Sequence, residues 1–396
     1  MERVSVSVLA VAMALFAAPL YFDLALCIAG NLFRPRRPRA AARREIRLAV
    51  VVPARDEETM IARTVASLRA ADSATSIYVV AHNCSDGTVK AAADAGAEVV
   101  ELNHPRQRGK GAALRQGFAA ALAAGANAVL VVDADTVVSA NLIAATRAML
   151  EQGAEATQCR YELEMPAHGR HTGPAHPLAR LRALAFRGMN VLRPRGRAGL
   201  GFSTGLFGNG FALMATTLES VPFNANSIAE DVEYHTRLVA QGIPVYWIGE
   251  AFVLGASPAT STAQATQEAR WEGGRLRVAS RATSRLFAAL LRGRWRAIET
   301  LADVWSLPLS RGILGLLLTA FLAVHWLHVF AVACAAIAFL YVGEAVLLGD
   351  EPVRDVAALA GAPLYLLWKA FITPLVLRQS RSRAAWARTK REAPQP

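Results

Sequence analysis

Cysteine is scarce, and the four present, Cys27, Cys84, Cys159 and Cys334, stand singly with no paired spacing. Neither a disulfide framework nor a thiolate metal centre is indicated, and a reducing compartment is the natural reading. Lysine is equally rare: Lys90, Lys110, Lys369 and Lys390 are four among 43 basic residues, which leaves 39 arginines. Charged residues make up only 19% of the chain against 54% hydrophobic residues, with a mean hydropathy of +0.28. That balance excludes intrinsic disorder and exceeds ordinary soluble usage, so part of the chain is expected in lipid. The net charge of +12 calls for an anionic partner or surface.

What is present begins with apolar runs. Val4 to Phe33 is nearly unbroken, long enough to cross a hydrocarbon core of roughly 30 Å. Arg34, Arg36, Arg37, Arg39, Arg43, Arg44 and Arg47 follow it. A basic flank behind the run argues for an anchor with its N-terminus outside rather than a cleaved signal peptide. Asp23 lies inside the run, either as a functional carboxylate or as one that reaches the headgroups or a neighbouring helix. Three later runs, Leu307 to Val324, Val329 to Leu348 and Val356 to Leu377, precede the basic tail Arg378, Arg381, Arg383, Arg388, Lys390 and Arg391. If all three crossed, that tail would lie outside, against the charge rule. The last run carries Pro363, Lys369 and Pro374 and is expected to be interfacial or re-entrant. Three spans are expected, with four as the alternative. The domains then read as an anchor over 1–33, a basic cytoplasmic linker over 34–47, a cytoplasmic domain over 48–290, an interfacial segment and transmembrane hairpin over 291–349, and an interfacial helix with a basic tail over 350–396.

Within the polar middle, Leu48 to Pro53, Ser76 to Ala81, Ala97 to Leu102 and Ala128 to Val132 are short apolar runs separated by helical patterns. That alternation predicts an α/β domain with a mostly parallel sheet, its ligand held beyond the carboxyl ends of the strands. No G-x-G-x-x-G loop follows the first strand; Pro53-Ala-Arg-Asp-Glu-Glu stands there instead. Carboxylates in that place repel bare phosphate and suit hydrogen bonds from a base or ribose, so a dinucleotide fold is not indicated. Asp133-Ala-Asp135 closes the fourth strand, where paired carboxylates can hold a hard divalent cation that also grips a diphosphate, or can simply make a solvated turn. Glu230 and Asp231 open a helix. They either complement its dipole or supply a base that takes a proton from an acceptor hydroxyl. Gln267, Arg270 and Trp271 share one helical face, the Arg suited to a diphosphate oxygen and the Trp to a sugar ring, or both to a membrane interface.

Taken together, Pro53-Ala-Arg-Asp-Glu-Glu, Asn83-Cys-Ser-Asp86, Asp133-Ala-Asp135, Glu230-Asp231 and Gln267-Glu-Ala-Arg270-Trp271 resemble a membrane-embedded glycosyltransferase of family 2, related to cellulose, hyaluronan and poly-N-acetylglucosamine synthases. The intervals of 47 residues from Asp86 to Asp133, 98 more to Asp231 and 36 more to Gln267 suit a GT-A nucleotide-sugar domain. The resemblance implies that Asp56, Glu57 and Asp86 contact the nucleoside with Lys110 nearby, and that Asp133 and Asp135 hold the donor diphosphate through Mg2+ or Mn2+. It implies Asp231 as general base with Glu230 beside it, Gln267, Arg270 and Trp271 along the leaving diphosphate and the acceptor channel, and Gly208 and Asn209 in the acceptor-side loop. Two features depart from the family: Arg55-Asp56 stands where His-Asn is common, and the gating-loop motif of cellulose synthase is missing.

The expected activity is therefore metal-dependent, inverting transfer of a sugar from a nucleotide-sugar donor, a UDP-sugar first among them, to a lipid-linked or growing glycan acceptor. Exopolysaccharide or envelope glycan synthesis is the expected setting. A processive synthase, a ceramide-type glucosyltransferase and an inactive membrane scaffold are the alternatives. Nucleic acid is not an expected partner, because the basic residues gather at the membrane flanks, where anionic lipid headgroups account for them. The Arg- and Ala-rich composition suggests a GC-rich bacterial genome, and the expected location is the inner (plasma) membrane, multi-pass, with the catalytic domain cytoplasmic.

Overall fold

The structure is a computed structural model that describes residues 2–39, 45–104, 109–164, 177–225, 227–256, 261–322 and 324–381. Arg43, Arg44 and the tail from Arg383 onward lie outside the described residues. The chain opens with α1 (Glu2–Asn31) and then alternates β1 (Leu48–Ala54), α2 (Ile61–Ala71), β2 (Ile77–His82), α3 (Thr88–Asp94), β3 (Glu98–Leu102), α4 (Lys110–Ala123) and β4 (Ala128–Val131). These four strands are the ones expected from the apolar runs. Next come β5 (Thr136–Val138), α5 (Leu142–Glu151), β6 (Ala156–Leu163) and α6 (Pro177–Arg187). A π-helical turn (Gly188–Leu192) joins α6 to α7 (Arg193–Leu200), followed by β7 (Phe211–Met214), α8 (Ala215–Ser220), α9 (Glu230–Ala240) and β8 (Val245–Gly255).

The eight strands form one sheet in the order β3-β2-β1-β4-β7-β6-β8-β5. Pairing is parallel from β3 to β4 and between β6 and β8, and antiparallel where β7 and β5 join. Every residue of β1, β2 and β4 is buried, which is why these strands read as continuous apolar runs rather than alternating ones. Successive side chains enter opposite layers. Val50, Val52, Val79 and Leu130 pack under α2 and α5, and Ala49, Val51, Val80 and Val129 under Leu114 and Phe118 of α4.

The C-terminal third holds α10 (Ser261–Leu291), α11 (Ala297–Trp305), α12 (Leu309–Thr319), α13 (His325–Leu347), α14 (Pro352–Ala358), α15 (Ala362–Phe371) and α16 (Thr373–Arg381). Among the described residues, Ser7–Asn31, His325–Leu347 and Pro352–Arg378 are long and apolar enough to cross a membrane, and α11 with α12 makes a further apolar pair bent by 70°. Helices α1 and α13 run parallel: Tyr21 and Leu24 share a cluster with Cys334 and Ala338, and further along Asn31 donates to Glu344 at 2.9 Å. Between them α12 lies against α1, with Gly312 at Leu20 and Tyr21. The last apolar run is broken into three helices and tied to the sheet domain, Arg277 of α10 donating to the Ser380 carbonyl at 2.9 Å and Lys369 pairing with Glu272 at 2.8 Å.

Asp23 is fully buried and pairs with Arg193 and Arg197 of α7, the latter at 2.8 Å, so it is the helix-bonding carboxylate of the two readings. The two helices meet at bare backbone. A Cβ on Gly196 would stand 2.2 Å from the Cys27 carbonyl oxygen, and one on Gly30 would stand 1.9 Å from that of Gly196. Close approach of small residues is what lets the charges engage. Gly196→Val is therefore expected to separate α1 from α7 and lower Tm in detergent by on the order of 5 °C or more; a Tm equal to that of the parent protein would contradict the close contact.

Candidate active site

The carboxyl ends of β1 and β4 open onto a cavity of about 1450 Å³. Glu57 reaches it from the loop after β1, Asp133 and Asp135 from the loop after β4, Lys110 from the head of α4, and Glu230 and Asp231 from the head of α9. Gly208, Gln267, Arg270 and Trp271 line it as well. Residues scattered over more than half of the sequence thus meet where a parallel sheet places its ligand.

Lys110 is the hub. Its Nζ lies 2.5 Å from Asp133 Oδ1 and donates to the Gly208 carbonyl at 2.6 Å. Gly208 has φ +75°, and a Cβ there would stand 3.2 Å from Asp231 Oδ2 and 3.4 Å from Lys110 Nζ, so glycine answers both the backbone and the close approach. Burial disfavours the Lys110 charge, but Asp133, Glu230 and Asp231 outweigh it and hold its pKa above the ordinary value. Burial pushes Glu230 up to about 7 against the pull of Lys110, and neighbouring Asp231 adds to the rise. Asp231 is raised too, again by burial first, although its Oδ1 accepts the Val232 N–H at 2.8 Å.

Three expected site residues sit elsewhere. Asp56 has φ +53°, and its Oδ1 accepts from the Ser85 N–H at 2.7 Å and the Ser85 hydroxyl at 3.1 Å. Asp86 accepts from the Thr88 N–H at 3.0 Å and the Glu58 N–H at 3.2 Å. These two carboxylates lace the loops after β1 and β2 together, and neither lines the cavity, whereas Glu57 does. Asn209 is fully buried beneath the wall, accepting from the Asp133 N–H at 3.1 Å and donating to Thr136 Oγ1 at 2.9 Å. It fixes the backbone that presents Asp133 and Asp135.

Other lining residues had no signal in the sequence. Phe186 of α6 meets Tyr161 edge-on at 5.0 Å and Trp271 at a tilt at 6.2 Å, which makes a row of three aromatic rings along the wall. Ser203 Oγ accepts the Val245 N–H at 3.0 Å and shares a hydrogen bond of 2.7 Å with His235 Nε2. Burial lowers that histidine to about 4, leaving it neutral. Further along, Arg182, Arg193, Arg197 and Arg275 edge the cavity, and beyond them it is walled by Leu20, Leu24, Tyr341, Leu359 and Leu366. One continuous space therefore joins the carboxylates to the apolar helices.

A family model described as "Glycosyltransferase like family 2" matches residues 46–274, and the chain belongs to that family of enzymes. The architecture is the GT-A fold, an α/β domain with a mostly parallel sheet. Among solved structures, the mannosyltransferase PcManGT from Pyrobaculum calidifontis, in complex with GDP-Man and Mn2+, is similar over 95% of this chain and 96% of its own, with 15% identity and a TM-score of 0.51. Glucosyl-3-phosphoglycerate synthase from Mycobacterium tuberculosis, in complex with Mn2+, UDP and phosphoglyceric acid, is similar over 59% of this chain and 78% of its own, with 20% identity and a TM-score of 0.41. No curated protein matches the chain.

The raised Glu230 pKa has a measurable sign. Between the ordinary glutamate value of about 4.3 and about 7 the folded protein keeps a proton that the unfolded chain has lost. The stabilisation is full below that window and is lost as pH rises through about 7. Metal-free protein is expected to lose on the order of 5 °C in Tm between about pH 5 and about pH 8, and Glu230→Gln to flatten that fall; an identical slope in the variant would contradict it.

Proposed function

We propose that the chain is a membrane-bound, metal-dependent and inverting sugar transferase that moves one hexosyl group from a nucleoside diphosphate sugar, a UDP-sugar first among them, to a lipid-linked acceptor. The observation that carries this reading is the single cavity running from Asp133, Asp135 and Asp231 to Leu20, Leu24, Leu359 and Leu366. Its polar end suits a charged, hydrated donor. Its apolar end suits hydrocarbon, and the Tyr161–Phe186–Trp271 row on its wall offers aromatic surface for a sugar ring.

Asp133 and Asp135 present hard carboxylate oxygens to the cavity, and the Lys110 ammonium already lies against Asp133 as a cation. That donor set fits Mg2+ or Mn2+, and the Pyrobaculum mannosyltransferase that shares the fold carries Mn2+ with its GDP-Man. A bound cation neutralises charge on the departing diphosphate. Arg270 supports the same oxygens, and Glu57 faces the donor's nucleoside side. Asp231 accepts the proton of the acceptor hydroxyl as its oxygen bonds to the anomeric carbon and the bond to the diphosphate oxygen breaks, which inverts that carbon.

The same reading orients the protein. Because α1 and α13 are parallel, the chain has to return between them, and the bent α11–α12 pair is that return. Three crossings follow, and α14–α16 come back along α10. Arg34, Arg36, Arg37 and Arg39 and, at the other end of the chain, Arg378 of α16 then share the catalytic side, which the charge rule makes cytoplasmic. A bacterial inner membrane and a role in envelope glycan or exopolysaccharide synthesis agree with this arrangement.

Asp231→Asn is expected to lower transfer by about a hundredfold or more, with donor affinity within about twofold of the parent, and chelation of divalent cations to stop transfer by the parent protein. Near-normal turnover in the variant would remove Asp231 as the base, and full activity under chelation would remove the metal.

A further inference from the structure

The C-terminal segment meets α10 at a buried run of alternating charge. Lys369 of α15 is only 4% exposed and sits between Glu268 and Glu272, the latter at 2.8 Å. Glu268 is also held by Arg182 of α6 at 2.8 Å, and Glu272 by Arg311 of α12. The Lys369 ammonium further lies 5.6 Å from the ring centroids of both Tyr365 and Trp368. Five charged side chains from four helices are thus fixed by contacts to one another, and removing one member leaves its partners buried without full compensation.

The position of this run along α10 matters more than its strength. Glu268 and Glu272 are one helical turn apart and bracket Arg270 and Trp271, whose side chains line the cavity with Gln267. One turn further on, Gly274 packs against the segment that leads into the acid pair: a Cβ there would stand 3.1 Å from Ala229 Cβ, directly before Glu230 and Asp231. An ammonium on a flexible stem can sit between two carboxylates as a point charge, whereas the fork of an arginine favours one. In a chain with 39 arginines and four lysines, this buried cation is a lysine.

We propose that Lys369 is a positioning residue, through which the membrane-side helix α15 sets the height of the Gln267–Arg270–Trp271 face over the cavity, where Arg270 meets the departing diphosphate and Trp271 the acceptor. Lys369 borders the same cavity beside Tyr365 and Leu366, and it acts through Glu268 and Glu272. The proposal rests on the sugar-transfer reading for its kinetic part, and its structural part is tested without it.

The test compares Lys369→Met, Lys369→Arg, Glu272→Gln and the Lys369→Met/Glu272→Gln double variant in the full chain. Lys369→Met is expected to lower kcat about tenfold, with the dissociation constant for the donor nucleotide within about twofold of the parent. Hydrogen exchange over residues 265–276 of α10 is expected to quicken, with exchange in β1 and β4 unchanged. Lys369→Arg, which keeps the charge but whose fork favours one of the two carboxylates, is expected to recover only part of the kcat, and the double variant to be little worse than Lys369→Met, since both single changes break one run. Parent-like kcat and exchange in Lys369→Met would overturn the proposal. So would additive effects in the double variant, or a loss of donor binding and sheet protection in step with kcat, which marks general unfolding. If the parent protein transfers no sugar, the transferase reading fails, and the exchange pattern alone decides the role of Lys369.

Discussion

Like charges held apart from water around a single ammonium are the constraint on which this structure turns. Asp133 comes from the end of β4 and Glu230 and Asp231 from the head of α9, and the charges of Asp133 and Asp231 both disfavour the ionisation of Glu230. Lys110 makes their common burial tolerable by bonding Asp133 and the Gly208 carbonyl at once. The sheet supplies the rigidity for this: β4 carries Asp133 and Asp135 at its end, Asn209 pins their backbone, and α9 opens against the same point. Such a site is electrostatically unfinished, which is the condition under which a carboxylate becomes a useful base and a cation a useful ligand.

The second organising fact is that the catalytic domain and the apolar helices share walls. Helix α7 is bonded to α1 through Asp23, α6 to α14 through Arg180 and Asp355, and α10 to α15 and α12 through its two glutamates. The apolar helices therefore bound the cavity. That geometry gives the site a charged end and a hydrocarbon end, and a substrate with both characters fits it.

Much of this was legible in the residues, for definite reasons. Strands β1 to β4 are buried on both faces, so they read as apolar runs, and Asp133, Asp135, Glu230 and Asp231 sit at strand ends and helix starts where composition changes abruptly. Strands β7 and β8 escaped because strand pairing is a long-range property, and Phe211–Met214 is also too short to carry a pattern. Asp56 and Asp86 look the same in sequence whether or not they lace two loops; only the coordinates show that both accept hydrogen bonds across the loops after β1 and β2. Helices α6 and α7 mix arginine with leucine and glycine without a recognisable motif, so neither Phe186 behind Trp271 nor the Asp23 partners Arg193 and Arg197 were foreseeable. The last apolar run, expected at an interface on the strength of its prolines and lysine, is broken into three helices and held to α10 through Lys369, while its length and apolarity also suit a crossing.

The claim that binds the whole account is that donor chemistry and a hydrocarbon-bearing acceptor meet in one cavity. Its most direct measurement is the fate of label when the full chain, in membranes, is given radiolabelled nucleotide sugars and the products are partitioned between water and organic solvent. The account predicts label in the organic phase, dependent on Asp133 and released as sugar by mild acid. Label confined to water-soluble glycan or free sugar would contradict it.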